Sequence, residues 1–371
     1  MTETHKCRLY PTKTQERKLD NTLNTCRHLY NDALQQRIEK YKAEKKSLSY
    51  YDQCKWLTEN NNEYRMEVYS QVLQNVLKRV DTAYKNFFRG FKSKKRVGYP
   101  RFKNKERYRS FCYPQLGFKM LDNNRIRLSK IGDVPIVISR PIEGKVKTCT
   151  IVKEVDQWYA TLTVETSSAV SIKNDKPMIG IDVGISNLIT VSDGSVIENP
   201  RTLRKSERKL AREQRRLSRK KKGSKRRNKQ RVKVAKAHRK IRRQRDDYCH
   251  KTTTSLVEKS STIACEDLNI QGMCKNRSLA KHIHDAGWGK LITFLEYKTQ
   301  SAGGRVIKVP PKNTSQQCSG CGTIVQKELQ DRVHNCTKCG LVIDRDHNAA
   351  INIKNRGEAI LAKQAQGDKC T

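Results

Sequence analysis

Two cysteine pairs constrain this 371-residue chain more tightly than any other feature of its sequence. Cys318-Ser-Gly-Cys321 is followed by fourteen residues and then by Cys336-Thr-Lys-Cys339. Each pair presents two thiols from one tight turn, and a short loop lets the pairs meet at the corners of a tetrahedron, the geometry Zn²⁺ requires. Four thiolates leave no position for water, so such an ion holds shape or grips nucleic acid rather than catalysing. A redox role for one CxxC is the alternative. Five residues beyond the last cysteine, Asp344-Arg-Asp346-His-Asn348-Ala-Ala begins an acidic cluster suited to a hard, oxygen-liganded cation such as Mg²⁺.

Charge points to the partner. Seventy-eight Lys and Arg against thirty-seven Asp and Glu leave a formal +41, the sign that attracts phosphate polymers. Nucleic acid is therefore expected, and a membrane is not. No stretch approaches the ~18 apolar residues of a membrane span, and no signal-peptide core opens the chain. Of thirteen cysteines, nine are scattered without pattern, Cys370 the last of them, and read as ordinary thiols of a reducing, cytoplasmic compartment. The length allows two or three domains.

Residues 5–10 read as a strand, and Thr12 with Gln15 forms a capping-box signal for a helix. Leu19, Leu23, Cys26, Tyr30, Leu34 and Ile38 recur at helical steps, as do Val72, Val76, Val80, Ala83 and Phe87, so residues 12–92 are expected to be mainly helical. Residues 99–113 interleave Tyr99, Phe102, Tyr108, Phe111 and Tyr113 with Lys and Arg. Such a block can stack on bases or pack in a core, and both readings stand. From 114 to 170 the pattern is β, with residues 147–152 and 158–164 bracketing a hairpin turn. The polar segment 171–177 is the expected boundary. Beyond it, residues 178–184 read as a buried strand carrying Asp182, and residues 188–194 as the strand that returns.

Residues 201–245 hold twenty-four Lys or Arg and two Glu. Leu203, Leu210 and Leu217 fall seven apart, Gly223-Ser224 interrupts, and Val234, His238 and Ile241 resume the stripe, so two helices should form a basic hairpin. Like charges at helical spacing repel unless a polyanion neutralises them. Residues 261–266 then read as a buried strand ending at Glu266, residues 288–300 as a helix, 304–309 as a strand and 346–355 as a last helix. Asp182 and Glu266 end strands that can be neighbours, and Asp346 starts a helix that can lie against them. Three such carboxylates would bind two Mg²⁺ roughly 4 Å apart and hydrolyse phosphodiesters. Any one of the three alone is more often a structural cap.

At these residues the sequence closely resembles the TnpB (OrfB) family, RNA-guided nucleases of insertion sequences related to type V CRISPR effectors. Gly180-Ile-Asp182-Val-Gly184, Cys265-Glu266-Asp-Leu and Asp344-Arg-Asp346-His-Asn348-Ala-Ala look like the three acidic motifs of its RuvC-like nuclease, with the cysteine pairs between the second and third. The resemblance favours Asp346 over Asp344 as the third acid. It implies a multidomain α+β protein. A RuvC-like (RNase H-like) α/β nuclease domain would occupy 173–317 and 341–371, with a zinc ribbon inserted at 318–340. An oligonucleotide-binding-like β-barrel wedge would occupy 1–11 and 100–172, carrying a helical recognition insert at 12–99. It also implies a guide RNA from the element's own transcript, a double-stranded DNA target beside a short flanking motif and a place in the prokaryotic cytosol or nucleoid. Whether the particle holds one protein chain or two is open in the sequence, with a monomer favoured. Delegating sequence choice to RNA accounts for abundant phosphate-seeking charge.

Two other functions remain in view: an RNA-guided repressor without cleavage, and a strand-joining transposase. For the latter, Lys281-His282-Ile-His284 spells the histidine pair of tyrosine transposases. That segment is expected to be a loop, with no tyrosine helix to match it.

Overall fold

A computed structural model describes residues 2–60, 62–93, 97–166, 176–328 and 330–367. Residues 171–175 of the expected boundary, the side chain of Leu203 and Cys370 lie outside the described residues. The chain divides into two compact units, Met1–Ser168 and Ala169–Thr371.

In the first unit, β1 (Thr2–Leu9) leads into α1 (Lys13–Glu44), α2 (Tyr50–Glu59), α3 (Glu63–Met66) and α4 (Ser70–Lys92). The Thr12 backbone N–H donates to Gln15 Oε1 at 3.0 Å and the Gln15 N–H returns to Thr12 Oγ1, closing the expected capping box. Leu19, Leu23, Cys26, Tyr30 and Leu34 of α1 are buried, as are Val72, Val76 and Val80 of α4. Six strands follow: β2 (Ser110–Tyr113), β3 (Phe118–Leu121), β4 (Arg125–Leu128), β5 (Gly132–Val137), β6 (Lys145–Glu154) and β7 (Gln157–Glu165). With β1 they make a curled seven-stranded sheet in the order β2-β6-β7-β1-β5-β4-β3. β1 pairs with β7 along its whole length but with β5 only through Arg8 and Leu9, so the sheet turns at this strand. The β6–β7 hairpin matches the expected one, and its turn holds Val155 at φ 62°, a left-handed conformation that strains a β-branched residue.

The second unit is built on β8 (Ile179–Val183), β9 (Asn187–Val191), β10 (Val196–Glu198), β11 (Thr262–Glu266) and β12 (Arg305–Val309), in the order β10-β9-β8-β11-β12. β8, β11 and β12 run parallel, and the hairpin strands are antiparallel. Helices α5 (Thr202–Ser218), α6 (Lys225–Lys259), α7 (Ile270–Met273), α8 (Arg277–Ala286) and α9 (Trp288–Ser301) lie between the strands in sequence. After β12 come β13 (Val333–Asn335), β14 (Val342–Asp344) and α10 (Arg345–Gly367).

The period-two alternation of the parallel strands sorts their side chains. Ile179, Ile181, Val183, Ile263 and Cys265 pack with Cys249 and Leu256 of α6 and Leu291 and Leu295 of α9. Ala264 packs instead with Ile353 of α10. Gly180 shares that second face, where a Cβ would lie 2.2 Å from the Ala350 carbonyl oxygen. Only glycine lets α10 approach β8 so closely. Asp182 and Glu266, each two residues further along, fall on the face that α10 covers.

Candidate functional site

β8 and β11 are in parallel register, with Cys265 beside Ile181, so the next pair along is Glu266 and Asp182. α10 begins with Asp346 in its first turn. The structure thus gathers the three acids at one sheet edge, where Asp182 feels the charges of the other two. Burial, then the charges of Glu266 and Asp346, push the Asp182 carboxyl up to about 8, against the pull of Arg345. Burial also raises Glu266, offset by the Thr314 hydroxyl, which donates to its Oε1, and by the Arg356 charge. Asp346 is paired with Arg345, whose Nη2 lies 3.0 Å from Oδ1. The three carboxylates stop short of mutual ligand distance: among the described residues, the only group of three or more metal-ligand side chains whose donor atoms all lie within 4.8 Å is the cysteine set. Carboxylates repel one another, and Arg345 and Thr314 hold two of them separately.

Asp344 has a different task. Its Oδ1 accepts from the backbone N–H groups of Asp346 and His347, at 2.9 and 3.0 Å. It caps α10 and fixes the turn from which Asp346 projects.

Cys318, Cys321, Cys336 and Cys339 converge as the spacing requires, with Cys318–Cys339 and Cys321–Cys336 sulfurs 3.6 Å apart. The two knuckles are built alike. Gly322 N–H donates to the Cys318 carbonyl at 2.9 Å and Gly340 N–H to that of Cys336 at 2.8 Å. Both glycines take positive φ, 77° and 74°, where a Cβ would strain the turn. Hydrogen bonding to Thr323 draws the Cys321 thiol down to about 6. Backbone hydrogen bonds lower Cys336 as well, whereas the Cys339 thiol is pushed up, with hydrogen bonds to Cys318 and Cys321 among the causes; four converging thiols fit a structural Zn²⁺.

The cysteine set and the acid edge are joined by side chains that no motif singled out. Asn348 is fully buried in α10; its Oδ1 accepts from Ser319 N–H at 2.9 Å and its Nδ2 donates to the Gln317 carbonyl at 2.8 Å. Asn352 donates to the carbonyls of Thr314 and Gln317, at 2.9 and 2.6 Å. Arg356 reaches Pro310 and Lys312 carbonyls, each at 2.8 Å. One row of α10 therefore pins the segment that carries Thr314 to Glu266 at one end and Cys318 at the other. An Asn-x-x-x-Asn-x-x-x-Arg row at helical spacing was the available signal.

α5 and α6 form the basic hairpin, but α6 runs to Lys259, well past residue 245. Its seam consists of Leu210, Val234 and Ile241 with Leu217 and Ala237; His238, expected in the stripe, is exposed. Position 237 completes the three-then-four step from 234 to 241, leaving 238 on the solvent edge. Inside the seam, Gln230 Nε2 donates to Glu213 Oε2 at 2.7 Å.

The expected loop at 281–284 is helical, in α8, which Asn276 caps and Gly287 ends at φ 73°. His282 and His284 are exposed around buried Ile283. At 100° per residue, positions two apart on a helix diverge and cannot share a metal. The aromatic block divides: Tyr108, Phe111 and Tyr113 are core residues, whereas Tyr99 and Phe102 are exposed. No helix among the described residues is long and apolar enough to cross a membrane.

These features define a basic, mixed α/β protein with a four-cysteine group able to hold a metal ion, and comparison with known proteins sharpens the class. Residues 161–277 match the family OrfB_IS605, described as "Probable transposase". Residues 288–353 match the Cas12f1-like TNB domain. Residues 1–46 match HTH_OrfB_IS605, described as a helix-turn-helix domain, although here they form a strand and the single uninterrupted helix α1. The chain is 35% identical over 378 residues to "Putative RNA-guided DNA endonuclease InsQ" of Escherichia coli (strain K12), covering 96% of this chain and 92% of that one. It is 36% identical over 374 residues to "Putative RNA-guided DNA endonuclease" of Streptomyces pristinaespiralis, covering 98% and 90%. Among solved structures, the mini-RNA-guided endonuclease CRISPR-Cas_phi3 shares the fold, with a TM-score of 0.51 at 10% identity over 96% of this chain and 92% of that one. The chain belongs to the TnpB (OrfB) family of RNA-guided DNA endonucleases.

Proposed function

We propose that this protein is an RNA-guided DNA endonuclease of an insertion sequence, hydrolysing phosphodiesters at a RuvC-like site made by Asp182, Glu266 and Asp346. The carrying observation is the meeting of these acids at one sheet edge, where burial and then the charges of Glu266 and Asp346 raise Asp182 to about 8. A buried carboxylate disfavoured by its neighbours' charge is a site that a cation relieves. Bound Mg²⁺, as two ions, would supply an activated water and charge to steady the leaving oxygen.

The chain's own residues do the holding. Asp182 and Glu266 offer oxygens from rigid strands, and Asp346 offers one from a capped helix end. Thr314 keeps one Glu266 oxygen directed, leaving the other for the ion. Arg345, paired with Asp346, can turn to a phosphate oxygen once a cation takes over that carboxylate. Cys318, Cys321, Cys336 and Cys339 would hold one structural Zn²⁺, bracing the segment on which Thr314 sits.

We read the first unit as an oligonucleotide-binding-like wedge, 1–11 and 100–172, with a helical recognition insert at 12–99. The second is read as the nuclease, 173–317 and 341–371, with its ribbon at 318–340. The basic hairpin supplies phosphate contacts without sequence preference, while base pairing to a guide RNA chooses the double-stranded DNA target.

The test begins with the RNA that copurifies with the protein. A single defined species is expected, and a DNA duplex matched to its variable end, with flanking positions randomised, should be cut in Mg²⁺. DNA occupancy without strand breaks would instead mark a repressor, and a covalent DNA–tyrosine adduct a transposase.

A further inference from the structure

α4 leaves an aromatic face uncovered. Its first half turns Val72, Leu73, Val76, Leu77 and Val80 into the core. Its second half carries Tyr84, Phe87, Phe88 and Phe91, and Tyr99 folds back onto them. Tyr99 sits edge-on to Tyr84 and Phe87, with centroids 5.6 and 5.4 Å away, and Phe88 adjoins both Tyr84 and Phe87. A hydrogen bond of 2.8 Å between the Tyr84 and Tyr99 hydroxyls locks the base of the cluster. The rings at its top stay open: Phe88 is 56% exposed and Phe91 80%.

Burying a phenylalanine is worth ~1.5–3 kcal/mol, so two open rings three residues apart on one helix mark a surface that something covers. Charge says what. Residues 82–105 contain nine Lys or Arg and no Asp or Glu. A second protein with an apolar face would have to accept that density of positive charge. A polyanion with flat faces is complementary to both features. Duplexes hide their base faces, so the nucleotides must be unpaired. An exposed apolar patch also needs cover throughout the life of the protein. Of the nucleic acids in the proposed function, the guide RNA is the constant companion, whereas target DNA comes and goes.

We infer that Phe88, on the Tyr84–Phe87–Tyr99 base, and Phe91, three residues further along the same helix, form a stacking platform for an unpaired segment of the guide RNA, with Lys85, Arg89, Lys92 and Arg101 contacting its phosphates. This site rests on the RNA-guided reading but is separate from the acid edge.

The test uses the full-length protein with three probes: single-stranded oligoadenylate RNA, an RNA duplex of the same length, and oligodeoxyadenylate. Stacking contributes ~1–3 kcal/mol per base, so Phe88→Ala with Phe91→Ala should weaken oligoadenylate binding at least about 30-fold. The dependence of log affinity on log salt should not change, because no phosphate contact is lost. Duplex RNA should bind as before, and Phe88→Trp should restore affinity, its fluorescence quenched by the single strand. Equal binding of oligoadenylate by variant and wild type overturns the platform. So does a loss confined to oligodeoxyadenylate, which assigns the face to a DNA strand, or a change only in oligomeric state, which assigns it to a second copy. Failure of the wild type to copurify with a defined RNA refutes the guided reading itself.

Discussion

The amide of Asn348 clasps the backbone beside Cys318: it accepts from Ser319 N–H at 2.9 Å, two residues along α10 from Asp346. The four-cysteine group and the acid edge are thus tied together at this point by one buried side chain of the α10 row. Removing it leaves buried polar groups unsatisfied at ~1–3 kcal/mol. Asn348→Ala should lower the thermal midpoint and speed zinc release to a colorimetric chelator; unchanged release would uncouple the two.

Thr314 bears on Glu266 through one hydroxyl. Its hydrogen bond opposes the rise that burial imposes on the Glu266 carboxyl. Thr314→Val should raise that carboxyl further, so the acid limb of the cleavage rate against pH moves to higher pH. Thr314→Ser keeps the donor and should leave the profile in place.

Asp182 makes the metal-free protein sensitive to alkali. Its folded pKa, about 8, lies above the ordinary 3.8, so between these values the folded state keeps a proton that the unfolded state has lost. Stability therefore falls as pH rises through that window, by up to about 1.4 kcal/mol per unit, and the loss is complete above pH 8. Thermal midpoints in chelator should decline from pH 5 to 8.5, and Asp182→Asn should flatten the decline. Mg²⁺ prefers the ionised carboxylate, so its stabilising effect should grow over the same range.

The basic hairpin predicts a salt signature. Lys229, Lys233 and Lys240 are exposed on α6. Changing all three to Gln should reduce the slope of log affinity for RNA against log salt by about 2 to 3 if each meets a phosphate. An unchanged slope would make this face merely solvated.

Much of this arrangement was legible in the residues because it depends on local chemistry. Two CxxC pairs can close only one way around a metal, and strand periodicity puts Asp182 on the face opposite Ile181 before any coordinates are seen. Thr314 was illegible, since it lies in a segment without periodicity and meets Glu266 only through the parallel pairing of β11 with β12. The helix at 277–286 replaces the expected loop, and its punctuation is present in Asn276 and Gly287; ten residues give too few turns for an apolar stripe to stand out. The aromatic block could not be divided by composition, because core and surface rings alternate with the same lysines. Only the folded core, which buries Tyr108 beside Tyr30 of α1 and Phe111 and Tyr113 in β2, separates them from Tyr99 and Phe102.

The most direct measurement is anomalous scattering from crystals of the protein soaked in Mn²⁺, an oxygen-seeking stand-in for Mg²⁺. Peaks should appear in contact with Asp182, Glu266 and Asp346 together, with Asp344 still capping α10. Manganese bound elsewhere, with these three carboxylates apart and matched DNA still cut by a Glu266→Ala variant, would contradict the account.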